Sequence, residues 1–556
     1  MRASNYLFKT EFESYDDFIL NYFLHYDDNF NFATDVVDSY ARNEPDRLAL
    51  VYCDEEGDGN INFSFSDISD LSQQTAAYLK SLGIMKGDRV MLILKRRWEY
   101  WIIAVALHRI GAILIPASYQ LTAKDIVYRV NASGAKLLIA ADDDYVISQV
   151  EIAKKDCGEL KDIALIRKRR DGWIDFSRGA RNTKERFVAD DSIRFDDHFI
   201  IYFTSGTNGP PKMATHAYTY PLGHIVTARY WQCVKDGGLH YTGSDSGWAK
   251  FGWGSFYGQW LSGSAILGFD AANRFDAKIQ LEVLRNYMPT TVCVPGTIYR
   301  ILMHEGLKKE DFASVKHCCT AGEPLSPSIV KDFKELTGLT IHEGYGQTES
   351  SVLIANFPWF ESRPGSMGKP SPLYNIVLED PMGHICPPGT EGEIVVRSLQ
   401  YGLPEGLIQG YFHEGSVRKA YGDDFKYHTG DIAYRDDDGF FWFVGRNDDI
   451  IKCSGYRIGP FEIESVLITH PAVRECAVTG APDPIRGQVV QATIVLNSEY
   501  QETAALTKDI QDYVQKQTAP YKYPRIIKYA ESLPKTNSGK IIRKAIRAEY
   551  ETVSGS

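Results

Sequence analysis

Several absences narrow the reading of this chain before any motif is weighed. None of its nine cysteines stands in a C-x-x-C spacing, and the 13 histidines do not gather around them. A zinc site and a disulfide framework are therefore not expected, and the thiols read as reduced, as in a cytoplasmic protein. Positive charge is in the minority, with 61 Lys and Arg against 72 Asp and Glu and a net charge of −11, which argues against a general nucleic-acid binder. The short basic runs at 167–170 and 540–547 read as solvated surface. Uninterrupted apolar runs are missing too. The most apolar stretch, Tyr100 to Ala117, is broken by His108, Arg109, Gly111 and Pro116, so it reads as a buried helix, a turn and a strand, with no integral membrane contact. The opening residues mix charge with aromatics and show no signal-peptide core. No internal repeat or low-complexity tract occurs.

What is present is an ordinary globular composition, 44% hydrophobic and 24% charged over 556 residues, enough for three or four domain-sized units or one very large domain plus a small one. From about 31 to 190 helical and strand patterns alternate. "FSDISDLSQQTAAYLKSLGI" has a Ser/Asp start and a Gly stop, "DRVMLIL" is a strand, "EYWIIAVALHRI" a helix, and "AILIPA" and "AKLLIA" are strands. That rhythm predicts sheets flanked by helices. It returns in "TTVCVPG" and "HCCTAG". After about 370 the chain turns β-rich, with "DDDG" as a turn between strands. A smaller unit, rich in both helix and strand, follows the stretch "GRNDD".

One loop raises a chemical question. "YFTSGTNGPPKMATH" (202–216) follows the apolar run 199–203 and offers hydroxyls, backbone N–H groups and a cation. It fails the G-x-x-x-x-G-K-[ST] spacing, since Pro211 and Met213 stand where Gly and Ser or Thr are required. The two prolines oppose a helix starting at once. Successive N–H groups still suit a polyphosphate, and a polar hairpin turn is the alternative.

Seven further stretches follow: "SDSGWAK" (244–250), "AGEPL" (321–325), "GYGQTE" (344–349), "GSMGKP" (365–370), "YHTGD" (427–431), "GRNDDIIKCSGYRIGPFEIE" (445–464) and "PKTNSGKIIRK" (534–544). These eight motifs, in this order, resemble the adenylate-forming superfamily of acyl-CoA synthetases, adenylation domains and luciferases, and are most similar to the medium-chain acyl-CoA synthetase branch. The resemblance implies an α/β fold. A large N-terminal domain (1–446) would hold two α/β-layered subdomains and a small β-barrel-like subdomain, followed by a mobile α+β C-terminal domain (447–556). It implies ATP, CoA and Mg²⁺ as cofactors and a small carboxylic acid as substrate. The oligomeric state stays open, a homodimer included.

The same resemblance assigns residues. Lys540 and Thr348 are catalytic. ATP contacts fall on Thr204, Ser205, Gly206, Thr207, Asn208, Gly209 and Lys212, on Glu343, Gly344, Tyr345, Gly346, Gln347 and Thr348, and on Asp431, Arg446 and Lys540. Asn208 departs from the family's Thr or Ser. Glu349 offers Mg²⁺ a hard oxygen. CoA contacts fall on Gln120, Ser454, Gly455, Tyr456, Arg486 and Lys522, and Asp448 matches the hinge. The acyl pocket would be walled by Trp248, Phe251 and Trp253, with Gly346 as an open floor where acetate-selective relatives carry Trp, and with Arg457 nearby. That floor predicts a short- to medium-chain acid, branched acids included. Lys250 reads as a rim or surface lysine, or as the partner of a carboxylate elsewhere. His216 reads as incidental. Because a carboxylate is already ionised near neutral pH, the chemistry asks for no general base. Three other readings remain open: an aryl or bile-acid CoA ligase, an enzyme loading a carrier-protein thiol, and a silent nucleotide-binding regulator.

Overall fold

The computed structural model describes residues 3–55, 60–204, 210–271, 275–323, 325–453, 456–483, 486–518, 522–536 and 540–551. Two nine-stranded sheets form its bulk among these residues. The first runs, edge to edge, through the strands at 369–370, 354–355, 341–345, 317–321, 291–293, 239–242, 265–270, 48–54 and 61–64. The second runs through those at 416–419, 410–413, 212–217, 198–204, 113–116, 89–93, 137–140, 162–165 and 174–175. Each has a parallel centre; the first is antiparallel at both edges, the second only at the edge formed by 410–419 and 212–217.

The stretch judged too interrupted to span a membrane behaves as its composition asks. All twelve residues of the helix Glu99–Ile110 are buried, Gly111 closes it at φ +81°, and the strand Ile113–Pro116 follows. Arg109 is tolerated there because Asp38 takes its guanidinium in two bonds, at 2.7 and 2.5 Å, with Ser72 as a third partner. No helix among the described residues is long and apolar enough to cross a membrane. The helix Phe65–Ser81 starts with Ser64 and Asp67 capping each other, as its Ser/Asp-rich start suggested.

The β-rich stretch folds as a four-stranded antiparallel sheet of Asn375–Glu379, Gly392–Arg397, Tyr427–Arg435 and Phe441–Arg446. This corrects the expectation of a barrel-like subdomain. The hairpin Gly410–Lys419, which lies between these strands in sequence, pairs instead with Lys212–Ala217 and extends the second large sheet. It thereby joins the β-rich region to the phosphate-loop strand. The C-terminal unit packs the helices Pro460–Leu467 and Ala504–Gln517 on a five-stranded sheet led by Val473–Asp483 and Gly487–Leu496.

Candidate functional site

The strands on either side of the loop at 205–211, His198–Thr204 and Lys212–Ala217, pair antiparallel with Thr204 opposite Lys212. A helix does not follow the loop, as Pro210 and Pro211 require. Ser205, Gly206, Thr207, Asn208 and Gly209 lie outside the described residues. The Lys212 ammonium sits 5.0 Å from the centre of the Tyr411 ring, and Tyr411 donates to Glu349 Oε1 at 3.1 Å. The cation after the loop and the carboxylate of "YGQTE" thus share one tyrosine.

A second set of bonds ties "YGQTE" to "YHTGD". Tyr345, at the end of the strand Ile341–Tyr345, donates its hydroxyl to Asp431 Oδ2 at 2.6 Å. Gln347 Nε2 donates to the same oxygen at 2.6 Å and to the Thr429 carbonyl at 2.9 Å, while its Oε1 accepts from Tyr427 at 2.7 Å. Arg446 lies opposite Asp431 on the neighbouring strand, with Nη1 3.4 Å from Oδ1. Asp431 keeps that second oxygen for a further donor such as a ribose hydroxyl. Burial raises the Asp431 and Glu349 carboxyls above their usual range, and Lys540 is among the groups that pull both back down.

His216 is not incidental. It is buried on Lys212–Ala217, and its Nε2 donates to the Thr348 carbonyl at 2.8 Å, fixing the backbone of the catalytic-loop candidate. Burial lowers its pKa to about 4, so the ring is neutral at physiological pH.

Glu343, expected among the ATP contacts, also bonds within the protein. Its carboxylate accepts from Gly365 N at 2.9 Å and from Leu325 N at 3.2 Å, and its carbonyl accepts from Asn356 N at 2.9 Å. It therefore ties "AGEPL" to "GSMGKP" across the strand. Burial pushes its pKa up to about 7, against those two backbone donors. A carboxyl raised in this way binds its proton more tightly folded than unfolded. The resulting stabilisation is full below the unfolded value near 4.5 and is lost as pH rises through about 7. Between pH 5 and 8 the protein should therefore lose stability relative to Glu343→Gln, by up to about 3 kcal/mol. Thermal melts of both proteins across that range check this, and a constant difference would contradict it.

The acyl wall differs from expectation at three positions. The floor at Gly346 is not open: a Cβ there would lie 2.4 Å from Trp253 Cη2 and 2.7 Å from the Ser351 carbonyl. Gly346 seats the Trp253 ring, and Gly344 likewise admits Trp231, whose Cε2 would lie 2.5 Å from a Cβ. The two indoles meet edge to face at 6.4 Å. Phe251 points into the core instead, against Tyr100 and Trp101 at 5.1 and 5.3 Å. Trp248 is half-buried at the start of the helix Ala249–Gly254. Lys250 is not a surface lysine. It is half-buried, donates to the Ala321 carbonyl at 2.8 Å, and feels both Glu323 and Lys540, while burial lowers its pKa. Arg457 lies outside the described side chains.

Lys540 is exposed; its carbonyl accepts from Thr536 N at 2.8 Å and its N–H donates to Thr536 Oγ1 at 3.2 Å. Its charge is among those that act on the Glu349, Asp431 and Lys250 side chains. The CoA candidates are dispersed in their bonding. Gln120 is exposed beside Tyr119, Arg486 lies 3.9 Å from Asp483, and Lys522 pairs with Glu462 at 2.5 Å. Ser454 and Gly455 and the side chain of Tyr456 lie outside the description. Asp448 is exposed, 3.6 Å from Arg446 Nε. No cluster of three metal-ligating side chains occurs among the described residues. That fits Mg²⁺, which takes one or two carboxylates and otherwise phosphate oxygens and water. Glu349, whose Oε1 accepts from Tyr411, would be the carboxylate offered to such an ion.

Reading by motif missed Trp231 and Tyr411. Tyr427 and Thr429 stood inside a quoted motif without a role. The packing of four separate chain segments brings them together, and no local spacing announces that.

The AMP-binding enzyme family matches residues 37–412, and the AMP-binding enzyme C-terminal domain matches 462–540. Acyl-coenzyme A synthetase ACSM3, mitochondrial, of Rattus norvegicus is 40% identical over 552 residues, 98% of this chain and 94% of that protein. Acyl-coenzyme A synthetase ACSM4, mitochondrial, of Homo sapiens is 41% identical over 529 residues, 93% of this chain and 90% of that protein. Among solved structures, the anthranilate CoA ligase AuaEII in complex with anthranoyl-AMP superposes with a TM-score of 0.85 at 28% identity, covering 96% of this chain and 99% of that one. Brucella canis acyl-CoA synthetase does so with a TM-score of 0.72 at 27% identity, over 97% and 99%. The cytoplasmic expectation is corrected by these relatives, which are named mitochondrial. All nine cysteines are free, but reduced thiols report a reducing compartment and do not distinguish one from another. Matched by both family models and aligned nearly end to end with these enzymes, the chain belongs to the adenylate-forming superfamily, within the medium-chain family of ATP-dependent acyl-CoA synthetases.

Proposed function

We propose that the chain activates a short- to medium-chain carboxylic acid, straight or branched, and that the cleft between Lys212 and Asp431 does the work. The observation that carries this reading is the continuous bonding from Lys212 through Tyr411 and Glu349 on one side, and from Gln347 and Tyr345 to Asp431 and Arg446 on the other. The charge of Lys540 acts on Glu349 and on Asp431.

In the first half-reaction a carboxylate oxygen of the acid bonds to the α-phosphorus of ATP. The bond to the bridging oxygen breaks, and pyrophosphate leaves with those electrons. Lys540 steadies the charge that builds on the α-phosphate, Asp431 and Arg446 hold the ribose, Tyr345 presents its ring to adenine, and Thr348 meets a phosphate or the acid. Lys212 and the loop 204–209 hold the outer phosphates. When bound at Glu349, Mg²⁺ supplies charge neutralisation to those phosphates. In the second half-reaction the CoA sulfur bonds to the acyl carbon, the bond to the AMP oxygen breaks, and the thiol proton passes to solvent. The unit after residue 446 turns about Asp448 between the halves. It removes Lys540 and brings the segment 454–457 to the acyl group, with Gln120, Arg486 and Lys522 meeting the rest of CoA.

The test is thioester formation over acetate, butyrate, 2-methylbutyrate, hexanoate, octanoate and benzoate. Octanoate, hexanoate or the branched acid should exceed acetate in kcat/KM by tenfold or more, given about 1–3 kcal/mol per buried methylene in an apolar pocket. Acetate as the best substrate would refute the acid class. Benzoate as the best would favour an aryl acid.

A further inference from the structure

The helix Arg543–Glu551 begins three residues after Lys540. Nine residues are too few to hold a helix unaided. Its apolar anchorage is slight: Ile546 is buried with Ala477, Val495 and Leu533, and Ile541 packs beside them. The stronger fastening is ionic. Arg543 and Arg547 stand one turn apart on one face of the helix. Arg547 Nη1 donates to Asp449 Oδ1 at 2.7 Å, and Arg543 Nη1 lies 3.7 Å from Asp449 Oδ2. Arg543 Nη2 bridges both oxygens of Glu464, each at 2.7 Å, and Glu464 accepts from Val478 N at 2.7 Å.

Asp449 itself is buried, 8% exposed, in the turn that leaves the strand Phe441–Arg446, and its N–H bonds the Arg446 carbonyl at 3.0 Å. It directly follows Asp448. A single carboxylate therefore fastens the turn after Arg446 to the helix that carries the Lys540 loop. The other end of that loop is tied by the bridge between Lys535 and Ile541 and by the ion pair of Lys535 with Glu475 at 2.7 Å.

We propose that Asp449 is a positioning residue for Lys540. Through Arg543 and Arg547 it makes the turn and the lysine-bearing arm one rigid lever, so that a rotation at the turn sets the ammonium against the acid and the α-phosphate. Asp449 touches no substrate. The inference rests on the adenylation role given to Lys540 above.

The test separates the half-reactions in the full-length protein with hexanoate. Asp449→Asn should lower acid-dependent exchange of pyrophosphate into ATP by on the order of a hundredfold, the usual effect of displacing a reacting group by about 1 Å. Conversion of supplied hexanoyl-adenylate and CoA to the thioester should change less than about threefold, because Lys540 is not needed there. Asp449→Glu, which keeps the charge, should recover much of the exchange, and Arg547→Gln should reproduce the loss. Amide hydrogen exchange over 541–547 should speed up in Asp449→Asn. Equal loss of both half-reactions, an unaffected exchange reaction, or unchanged protection of 541–547 would each overturn the lever. If the unaltered protein shows no pyrophosphate exchange with any acid while those amides lose protection in Asp449→Asn, the adenylation reading fails and the mechanical coupling stands.

Discussion

Lys540→Ala is expected to cut acyl-adenylate formation by on the order of a hundredfold or more while leaving thioester formation from a supplied acyl-adenylate near its normal rate. The Lys540 side chain is exposed, so its truncation removes a charge without opening a cavity. The loss is therefore kinetic, and the melting temperature should not move. The size follows from what the ammonium faces. The Lys540 charge acts on the Asp431 and Glu349 carboxyls, and in the proposed first half-reaction it steadies the charge that builds on the α-phosphate. With the unit after 446 turned as proposed, the ammonium would have no part in the second half-reaction. Pyrophosphate exchange and thioester formation, measured separately, check this. An equal fall in both would contradict the turning of the small unit.

The second large effect concerns Trp253. Trp253→Ala should raise the kcat/KM ratio of octanoate to butyrate by tenfold or more, at a cost in stability of about 3–5 kcal/mol for emptying a buried indole site. The ring is 5% exposed, lies against the Gly346 backbone, and meets Trp231 edge to face. Its Nε1 has no partner among the described residues, so truncation leaves no bond broken. On this expectation Trp253, which packs over Gly346, sets the depth that a missing side chain at Gly346 was expected to set. Gly346→Ala should harm every acid alike, since the Ser351 carbonyl, 2.7 Å from the new Cβ, cannot be moved aside as a side chain can. Activity profiles over acids of two to ten carbons decide the matter. An unchanged chain-length preference in Trp253→Ala would remove the indole from the pocket.

Much of this chain was legible locally. The alternation of period 2 and period 3.6 announced sheets between helices, and the helix Glu99–Ile110 with its glycine stop needed only its own residues. The eight motifs located the family because each is a contiguous run whose turn residues and donors act within a few positions. Pro210 and Pro211 by themselves ruled out a helix after the phosphate loop.

Long-range packing decided the rest. Nothing near Gly346 in sequence says that Trp253 fills its space, because the indole arrives from a helix more than ninety residues earlier. Glu343 looks like a nucleotide ligand in a motif, and only the approach of Leu325 and Gly365 turns it into a tie between loops. His216 and Lys250 owe their roles to carbonyls at Thr348 and Ala321, and a backbone carbonyl carries no signature in the side-chain alphabet. The hairpin Gly410–Lys419 left its sequence neighbours for the other sheet because Lys212–Ala217 offered it a free edge. Sequence therefore determined which chemistry this protein carries; the tertiary contacts determined which side chains are free to perform it and which are held in place by one another.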